Sequence, residues 1–243
     1  MKAPVPTRHS TSAAWGPLAD GGRSGLRPEA LRNGTGIRKA LVDAGYHQDT
    51  LARTVDVSGS DQRQDGQVIA RRVGTDTPYN VLVRLFWLGL PVRSQTLRTL
   101  VPALDVGALA SAGLLQRRNG ELRSVARIGP FHHLFLASDF GPGIRRRLRA
   151  DHVLGVGAAS QTLAGMTVRR KARRALDLGA GAGIQAFLVA RHADRVVGVD
   201  VSRRALAFAE CNARLNDVTN VQWKRGSLYE PVGDQTFDLI VAN

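Results

Sequence analysis

Two apolar runs on either side of a glycine-rich stretch stand out in the second half of the chain. Residues 176–183 read Leu-Asp-Leu-Gly-Ala-Gly-Ala-Gly and join a predicted buried strand over 175–178 to a predicted helix over 184–191. A second predicted strand, 196–199, ends at Asp200. Apolar runs that alternate with a helical pattern predict an α/β unit with a doubly wound, Rossmann-like sheet.

The alternation of predicted strands and helices continues to residue 243. Ser202 is a predicted N-cap for a helix over 203–215, whose apolar positions fall largely on one face. Residues 221–224 and 237–242 are predicted third and fourth strands. We therefore assign 151–243 to one α/β domain.

Residues 26–150 show a different pattern and are predicted to form a mainly helical N-terminal domain. Helical signals cover 26–55, and a polar stretch over 58–68 is typical of a linker or loop. The next predicted elements are helices over 77–88, 94–101 and 106–112, a hairpin over 114–123 that turns at Asn119-Gly120, a strand over 125–128 and an apolar run over 131–137. Helices that end in a hairpin resemble a winged helix. Residues 1–25 have few aliphatic side chains and are predicted to be a disordered tail.

The spacing of the glycines distinguishes between possible ligands. A dinucleotide site requires G-x-G-x-x-G, whereas this chain has G-x-G-x-G with Ile184 at the place of the third dinucleotide glycine. Asp177 precedes the loop, where a carboxylate repels a pyrophosphate but suits an ammonium group. A nicotinamide oxidoreductase is the disfavoured alternative.

These residues resemble the first two motifs of S-adenosylmethionine-dependent methyltransferases with a doubly wound sheet. The resemblance implies S-adenosyl-L-methionine as the cofactor, with the glycine loop under its methionine part and Asp200 on its ribose. Ser227 stands where family members often have an acid that meets the adenine amine, and a hydroxyl binds there more weakly than a carboxylate. The implied cofactor-binding residues are Asp177, Gly179, Gly181, Gly183, Asp200 and Ser227.

Asn243 resembles the first residue of the Asn-Pro-Pro-aromatic motif of the branch that methylates planar amines. In that motif, oxygen atoms accept hydrogen bonds from an NH2 group while an aromatic ring stacks on its plane, so Asn243 is the implied catalytic residue. Residues 209–216 resemble the Asn-Ala helix of N-methyltransferases. The alternative is that an Asn at this place is an accident of truncation.

The resemblance also implies seven strands, of which four are visible, in the order 3-2-1-4. We expect the fourth strand to expose an apolar edge and the chain to be the front portion of a longer enzyme, inactive or poorly active alone.

Composition limits the setting of the protein. A single cysteine, Cys211, excludes an internal disulfide and a cysteine-based zinc site, and we expect it to be a buried helix residue. His132 and His133 lie in an apolar run without metal-ligand spacing, so no metal site is predicted. Neither a signal peptide nor a membrane span is evident, and we expect a cytoplasmic protein.

Charge indicates the kind of partner. The net charge is +14, of which residues 1–150 carry +11. An asymmetric basic region beside an amine-methylating site favours RNA, a ribosome or DNA as the methyl acceptor, with a translation protein as the other possibility. The arginine clusters at 145–149 and 169–174 either grip phosphates or form a solvated face, and 30 of the 34 basic residues are Arg, which also fits a genome-wide codon bias.

Two further alternatives stay open. The segment 151–162 is either an ordinary linker or a contact to the cofactor or acceptor through Ser160, Gln161 and Thr162. The chain as a whole is either an N-methyltransferase for a nucleobase or a glutamine amide, or a nucleic-acid-binding winged-helix protein with a vestigial cofactor fold.

Overall fold

A computed structural model describes residues 25–55, 66–141, 144 and 148–243. The predicted disordered tail and the arginines at 145–147 lie outside these residues, apart from Gly25. Below, the described residues of 25–141 are called the front region, and those of 148–243 are called the sheet region.

The front region consists of short helices followed by two β-hairpins. A 3₁₀ turn, Pro28–Ala30, precedes the first helix, and a π-helical turn, Val83–Trp87, extends the fourth. The helices are α1 (Gly34–Asp43), α2 (Gln48–Val55), α3 (Gly66–Arg72), α4 (Pro78–Leu82), α5 (Ser94–Leu100) and α6 (Val106–Ser111). The strands are β1 (Val92–Arg93), β2 (Leu115–Arg118), β3 (Glu121–Ser124), β4 (Arg127–Phe131) and β5 (Leu134–Ser138).

Most of the predicted elements of the front region are present. Thr77 caps α4 by accepting a hydrogen bond from the backbone of Asn80. The β2–β3 hairpin turns at Asn119 and Gly120, whose φ angles of 50° and 77° are those of the predicted tight turn.

Four details of the front region differ from the predictions. The predicted loop over 58–68 is wrong at its end because Gly66 begins α3, while 56–65 lie outside the described residues. The apolar run over 131–137 is interrupted by a turn at His132, so that β4 and β5 form a second hairpin. The predicted strand over 125–128 is shifted and becomes β4. Strand β1 was not predicted, since two residues carry no periodicity; it pairs with β3.

The sheet region is a four-stranded parallel sheet with helices between the strands. Its order is β8-β7-β6-β9, which confirms the predicted order 3-2-1-4. Within the described residues, β9 pairs only with β6, and Ile240 of β9 is 46% exposed. The elements are α7 (Ala158–Met166), β6 (Ala172–Leu178), α8 (Ile184–Ala190), β7 (Ala193–Asp200), α9 (Arg203–Leu215), β8 (Val221–Arg225) and β9 (Leu239–Ala242).

Helix α9 joins the two regions. Its cap is the predicted Ser202, which accepts a hydrogen bond from the Ala205 backbone. Phe208 and Leu215 are buried in the same apolar cluster as the side chains of the front helices. Gly34 of α1 packs so closely on the end of α9 that a Cβ there would lie 1.8 Å from the Arg214 carbonyl oxygen. The apolar core is therefore continuous from the front region into the sheet region.

Two buried amides of α9 complete the contact. Asn212 accepts a hydrogen bond from the Ala137 amide (2.7 Å), and its Nδ2 donates to the carbonyl oxygens of Ala137 and Ala182 (both 2.9 Å). Asn216 makes the matching pair with the backbone of Phe135, at 2.8 and 2.7 Å. These side chains satisfy the free edge of β5, which would otherwise leave buried backbone groups unpaired.

Among the described residues, none of the helices has both the length and the apolar character that a membrane crossing requires. Cys211 is buried in α9, as predicted, and burial raises the pKa of its thiol to about 12.

We predict that Asn212→Ala destabilises the protein by about 3 kcal/mol or more, because it leaves three buried backbone groups without a partner. Urea unfolding followed by circular dichroism measures the change. Gln161→Ala is the matched control on the exposed face of α7 and is expected to stay within about 0.5 kcal/mol of the unchanged protein. Equal midpoints for the two variants would contradict the role given to this amide.

Candidate functional site

The carboxyl ends of the four parallel strands meet at one edge of the sheet. Leu178 at the end of β6 is in register with Val199 of β7 and with Ala242 of β9, and Asp200 is in register with Arg225 of β8. The strand order reverses between β6 and β9, which is where open α/β sheets bind ligands. The predicted site residues therefore lie along one edge.

The loop after β6 contains the three predicted glycines. The φ angles of Gly179, Gly181 and Gly183 are 70°, 54° and 87°. Residues other than glycine rarely adopt such positive values. A Cβ on Gly179 or Gly181 would meet nothing closer than 3.8 Å, so both glycines border open space. A Cβ on Gly183 would clash with the rings of Phe187 and Trp223, at 2.7 and 2.9 Å. The first two glycines thus leave room for a ligand, whereas the third allows close packing.

Asp200 fixes the shape of this loop. Its Oδ2 accepts a hydrogen bond from the Gly181 amide and its Oδ1 accepts one from the Ser202 amide, both at 2.8 Å. Each carboxylate oxygen has a second lone pair, so the group retains acceptor capacity for hydroxyl groups. The sequence pattern did not indicate the two backbone contacts.

Asp177 lies beneath the loop and is only 2% exposed. Its Oδ2 accepts a hydrogen bond of 2.9 Å from the Ala186 amide in the first turn of α8. Gly183, the N-cap residue of α8, has no side chain to cap the helix, and Asp177 supplies the missing acceptor from the preceding strand. Burial, and to a smaller degree the nearby Asp200, raises the pKa of this carboxyl to about 7.

Asn243 follows β9 and lies beside the glycine loop. Its backbone oxygen is 3.8 Å from the position that a Cβ of Gly179 would occupy. Its Nδ2 donates a hydrogen bond of 3.2 Å to the Ser160 hydroxyl of α7. The structure thus brings Asn243 next to the loop predicted to bind the cofactor.

Of the three candidates in the segment 151–162, Ser160 approaches the site. Gln161 and Thr162 lie on the exposed side of α7. The Ser160 carbonyl oxygen accepts a hydrogen bond of 2.8 Å from Gln185, whose side chain is buried. The Oε1 atom of Gln185 is buried and has no hydrogen-bond partner among the residues that the structure describes. Gln185 carries no sequence signal for this position, because a polar residue in an apolar helix does not by itself indicate a site.

Ser227 follows β8 at the same edge and is exposed. Its amide donates to the Glu230 carboxylate at 3.3 Å. Ser227 thus lies after β8, as the resemblance implies for an adenine-binding residue. Its role as an adenine contact stays a prediction.

The expected cofactor suits this edge. Open space next to Gly179 and Gly181 admits a ligand against the backbone, and Asp200 offers lone pairs to hydroxyl groups. Among the described residues, no group of His, Cys, Asp and Glu side chains has the arrangement of a metal site.

Comparison with known protein families agrees with this geometry. Residues 154–243 match the model of the methyltransferase small domain, and residues 43–125 match a domain of unknown function, DUF7059.

Three individual proteins illustrate the similarity. The release factor glutamine methyltransferase of Geobacter sulfurreducens is 48% identical over 71 residues, which cover 28% of this chain and 24% of that protein. The ribosomal protein L11 methyltransferase of Lactobacillus gasseri is 32% identical over 114 residues, covering 43% and 36%. The crystal structure of a ribosomal protein L11 methylase from Lactobacillus delbrueckii subsp. bulgaricus is 31% identical, with a TM-score of 0.31, and covers 34% of this chain and 43% of its own. The chain thus spans about a quarter to a third of these two curated relatives.

We predict that Asp177→Asn removes a fall in stability between pH 4 and pH 7. Because the folded pKa of Asp177 lies above its unfolded value, the folded state holds the proton more tightly, and stability is lost as the pH rises through this range. In the unchanged protein, the free energy of unfolding falls by at most about 4 kcal/mol over this range. In Asp177→Asn, the side-chain amide oxygen still accepts the hydrogen bond from the Ala186 amide.

Urea unfolding at pH 4.5, 5.5, 6.5 and 7.5 measures this effect. Asp238→Asn is the control, since backbone amides of Arg174 and Arg173 lower the pKa of that exposed carboxyl and its effect falls below this range. An identical pH slope in Asp177→Asn and in the unchanged protein would show that the carboxyl is ionised throughout.

Proposed function

Residues 154–243 belong to the methyltransferase small-domain family, whose members use S-adenosylmethionine, and from this premise we propose that the protein transfers a methyl group to a planar amine nitrogen. The acceptor is a nucleobase of ribosomal RNA or DNA, or a glutamine amide of a translation protein. The observation that carries the proposal is the position of Asn243 beside Gly179, at the edge where Asp200 orders the glycine loop. A cytoplasmic location is part of the proposal.

The names of the relatives support an amide or ribosomal acceptor. The two curated relatives described above are named for a glutamine of release factors and for ribosomal protein L11. The net charge of +14 favours a partner that carries phosphate, either as the acceptor itself or around it.

The residues of the chain contribute positioning rather than acid or base chemistry. When bound, S-adenosylmethionine supplies an electrophilic methyl group on a sulfonium. Asp200 and the loop glycines hold the donor, while Asp177, buried beneath the loop, accepts a hydrogen bond from the start of α8. Because the Asn243 Nδ2 donates to Ser160, its Oδ1 is the atom that remains to accept a hydrogen bond from an NH2 group.

A nucleic-acid-binding protein with a vestigial cofactor fold is the second candidate. It is supported by the order of elements α4, β1, α5, α6, β2 and β3, with β1 beside β3, which is the order expected of a winged helix. Helix α6, at the place of a recognition helix, has the sequence Val-Gly-Ala-Leu-Ala-Ser and offers no basic or amide side chain to base edges. This composition favours the methyltransferase proposal.

Methyl transfer is tested by incubating the protein with tritium-labelled S-adenosylmethionine and with separate fractions of ribosomal RNA, DNA, ribosomal proteins and release factors. We expect slow labelling of one fraction, well below about 1 per second, with the label located by mass spectrometry on an amine or amide nitrogen. Asn243→Ala is expected to retain cofactor binding and lose transfer. Label that resists this substitution would contradict the role of Asn243, and nucleic-acid binding without any cofactor binding would favour the second candidate.

We predict that Asp200→Ala weakens S-adenosylhomocysteine binding by about 1–3 kcal/mol, through loss of hydroxyl contacts and of the bond that orders Gly181. Isothermal titration calorimetry measures the affinity. Asp194→Ala, at the opposite end of β7, removes the same charge far from the loop and is expected to bind as the unchanged protein does. Equal affinities for both variants would remove the cofactor assignment.

A further inference from the structure

A basic groove of about 530 Å³ lies on the front region, between α1, the turn before α2 and the β4–β5 hairpin. Thr35, Arg38, Lys39 and Val42 line one wall because they share one face of α1. The other wall is the hairpin, with His132 and His133 at its tip and the apolar Pro130 and Phe135 below them. No residue of this groove belongs to the cofactor edge.

Of the cations around the groove, one is paired with a carboxylate, and two are without such a partner among the described residues. Lys39 forms an ion pair with Asp43 at 2.5 Å. In the part of the chain that the structure describes, Arg38 and Arg191 have no carboxylate within ion-pair distance. Arg191 follows α8, and its Nη1 lies 3.3 Å from the His133 Nδ1. Arg191 thus contacts a histidine that lines the groove, and Arg38 lines the wall formed by α1.

The surroundings of His133 reveal this concentration of charge. Partial burial, followed by the charges of Arg191, His132 and Arg38, lowers the pKa of His133. His47 and the Lys39–Asp43 pair are the other titratable groups along the groove. The imidazole stays neutral near pH 7, so that its Nδ1 accepts from Arg191. An anion in the groove would remove the repulsion that keeps the proton off.

The hairpin tip is held in place. His132 has a φ of 51°, in the left-handed region that residues other than glycine seldom occupy. Its amide donates to the Gln48 Oε1 at 2.5 Å, and its ring packs at 4.4 Å from the Phe131 ring. The tip is thus fixed against α2, and this contact sets the position of both histidines.

We propose that this groove binds the phosphate backbone of a nucleic-acid strand. Guanidinium groups match phosphate oxygens with paired N–H donors, and the imidazole adds a third donor when it takes up a proton. Val42, Pro130 and Phe135 offer apolar surface to a sugar or a base beside the phosphate. The charge of +11 on residues 1–150 attracts such a strand from a distance.

The groove is separate from the cofactor edge. Arg191 follows the last residue of α8, whereas the glycine loop precedes its first residue, and seven helical residues span about 10 Å. Strand binding therefore requires neither the cofactor nor methyl transfer, and it can be measured whether or not the proposed function holds.

The test is the binding of a fluorescein-labelled single-stranded RNA of twelve nucleotides, followed by anisotropy over a series of salt concentrations. Arg38→Ala combined with Arg191→Ala is expected to weaken binding about tenfold and to reduce the slope of log affinity against log salt by about 1.4, since each lost phosphate contact removes about 0.7. Arg195→Ala is the control, an exposed arginine of β7 outside the groove. If the double variant loses no more affinity than this control, the proposal is wrong.

Two further measurements separate the alternatives. Nuclear magnetic resonance of His133 is expected to show that its pKa rises when the RNA binds. Without RNA, the pKa of His133 is expected to be the same in Arg195→Ala as in the unchanged protein. Displacement of the RNA by millimolar inorganic phosphate would instead indicate that the groove binds a small phosphate compound. A poly-glutamate peptide that binds as tightly as the RNA would indicate an acidic protein partner. Either result would overturn the proposal that the groove binds a nucleic-acid strand. Thermal unfolding of each variant within a few degrees of the unchanged protein verifies that the fold is intact.

Discussion

The hydrogen bonds between α9 and the free edge of β5 are the interaction on which the rest of the structure depends. A two-stranded hairpin is marginal by itself, and β5 is too buried to leave its outer N–H and C=O groups to water. Asn212 and Asn216, four residues apart, present their amides on one side of the helix and act as a third strand would. The β4–β5 hairpin can therefore lie inside the protein, and the helices of the front region pack around it.

The acidic residues at the site have a structural role as well as the expected ligand role. A glycine loop that admits a ligand leaves the following helix without a capping side chain, and Asp177 supplies that acceptor from below. Asp200 does the same for the loop itself and for the start of α9. The same side chains thus make the loop possible, which explains why an open, glycine-rich turn can keep one shape.

The sequence predicted the sheet region more completely than the front region. Each strand of the sheet is an apolar run that ends in a recognisable turn or cap, so the order, the Ser202 cap and the edge that carries Asp200 followed from local patterns. Strand β1 and the turn at His132 did not follow, because one is too short for periodicity and the other interrupts an apolar run without a glycine or proline.

The contacts of the site were also beyond a local pattern. Ser160 meets Asn243 across 83 positions of the sequence, and the partner of Gln185 lies 25 positions away. Such pairs are set by how α7 lies against α8 and against the end of β9, not by the residues beside each one. The sequence therefore indicated which side chains carry the chemistry, whereas the folded chain was needed to indicate what orients them.

The Nδ2 atom of Asn212 gives both of its hydrogens away, one to the hairpin at Ala137 and one to the glycine loop at Ala182. A displacement of the hairpin and an opening of the loop therefore each break a hydrogen bond donated by the same atom. Any occupant that shifts one of them alters the free energy of the other, and thermodynamic linkage makes the influence equal in both directions. The Asn212 amide thus connects the β4–β5 hairpin of the front region directly to the glycine loop of the cofactor edge.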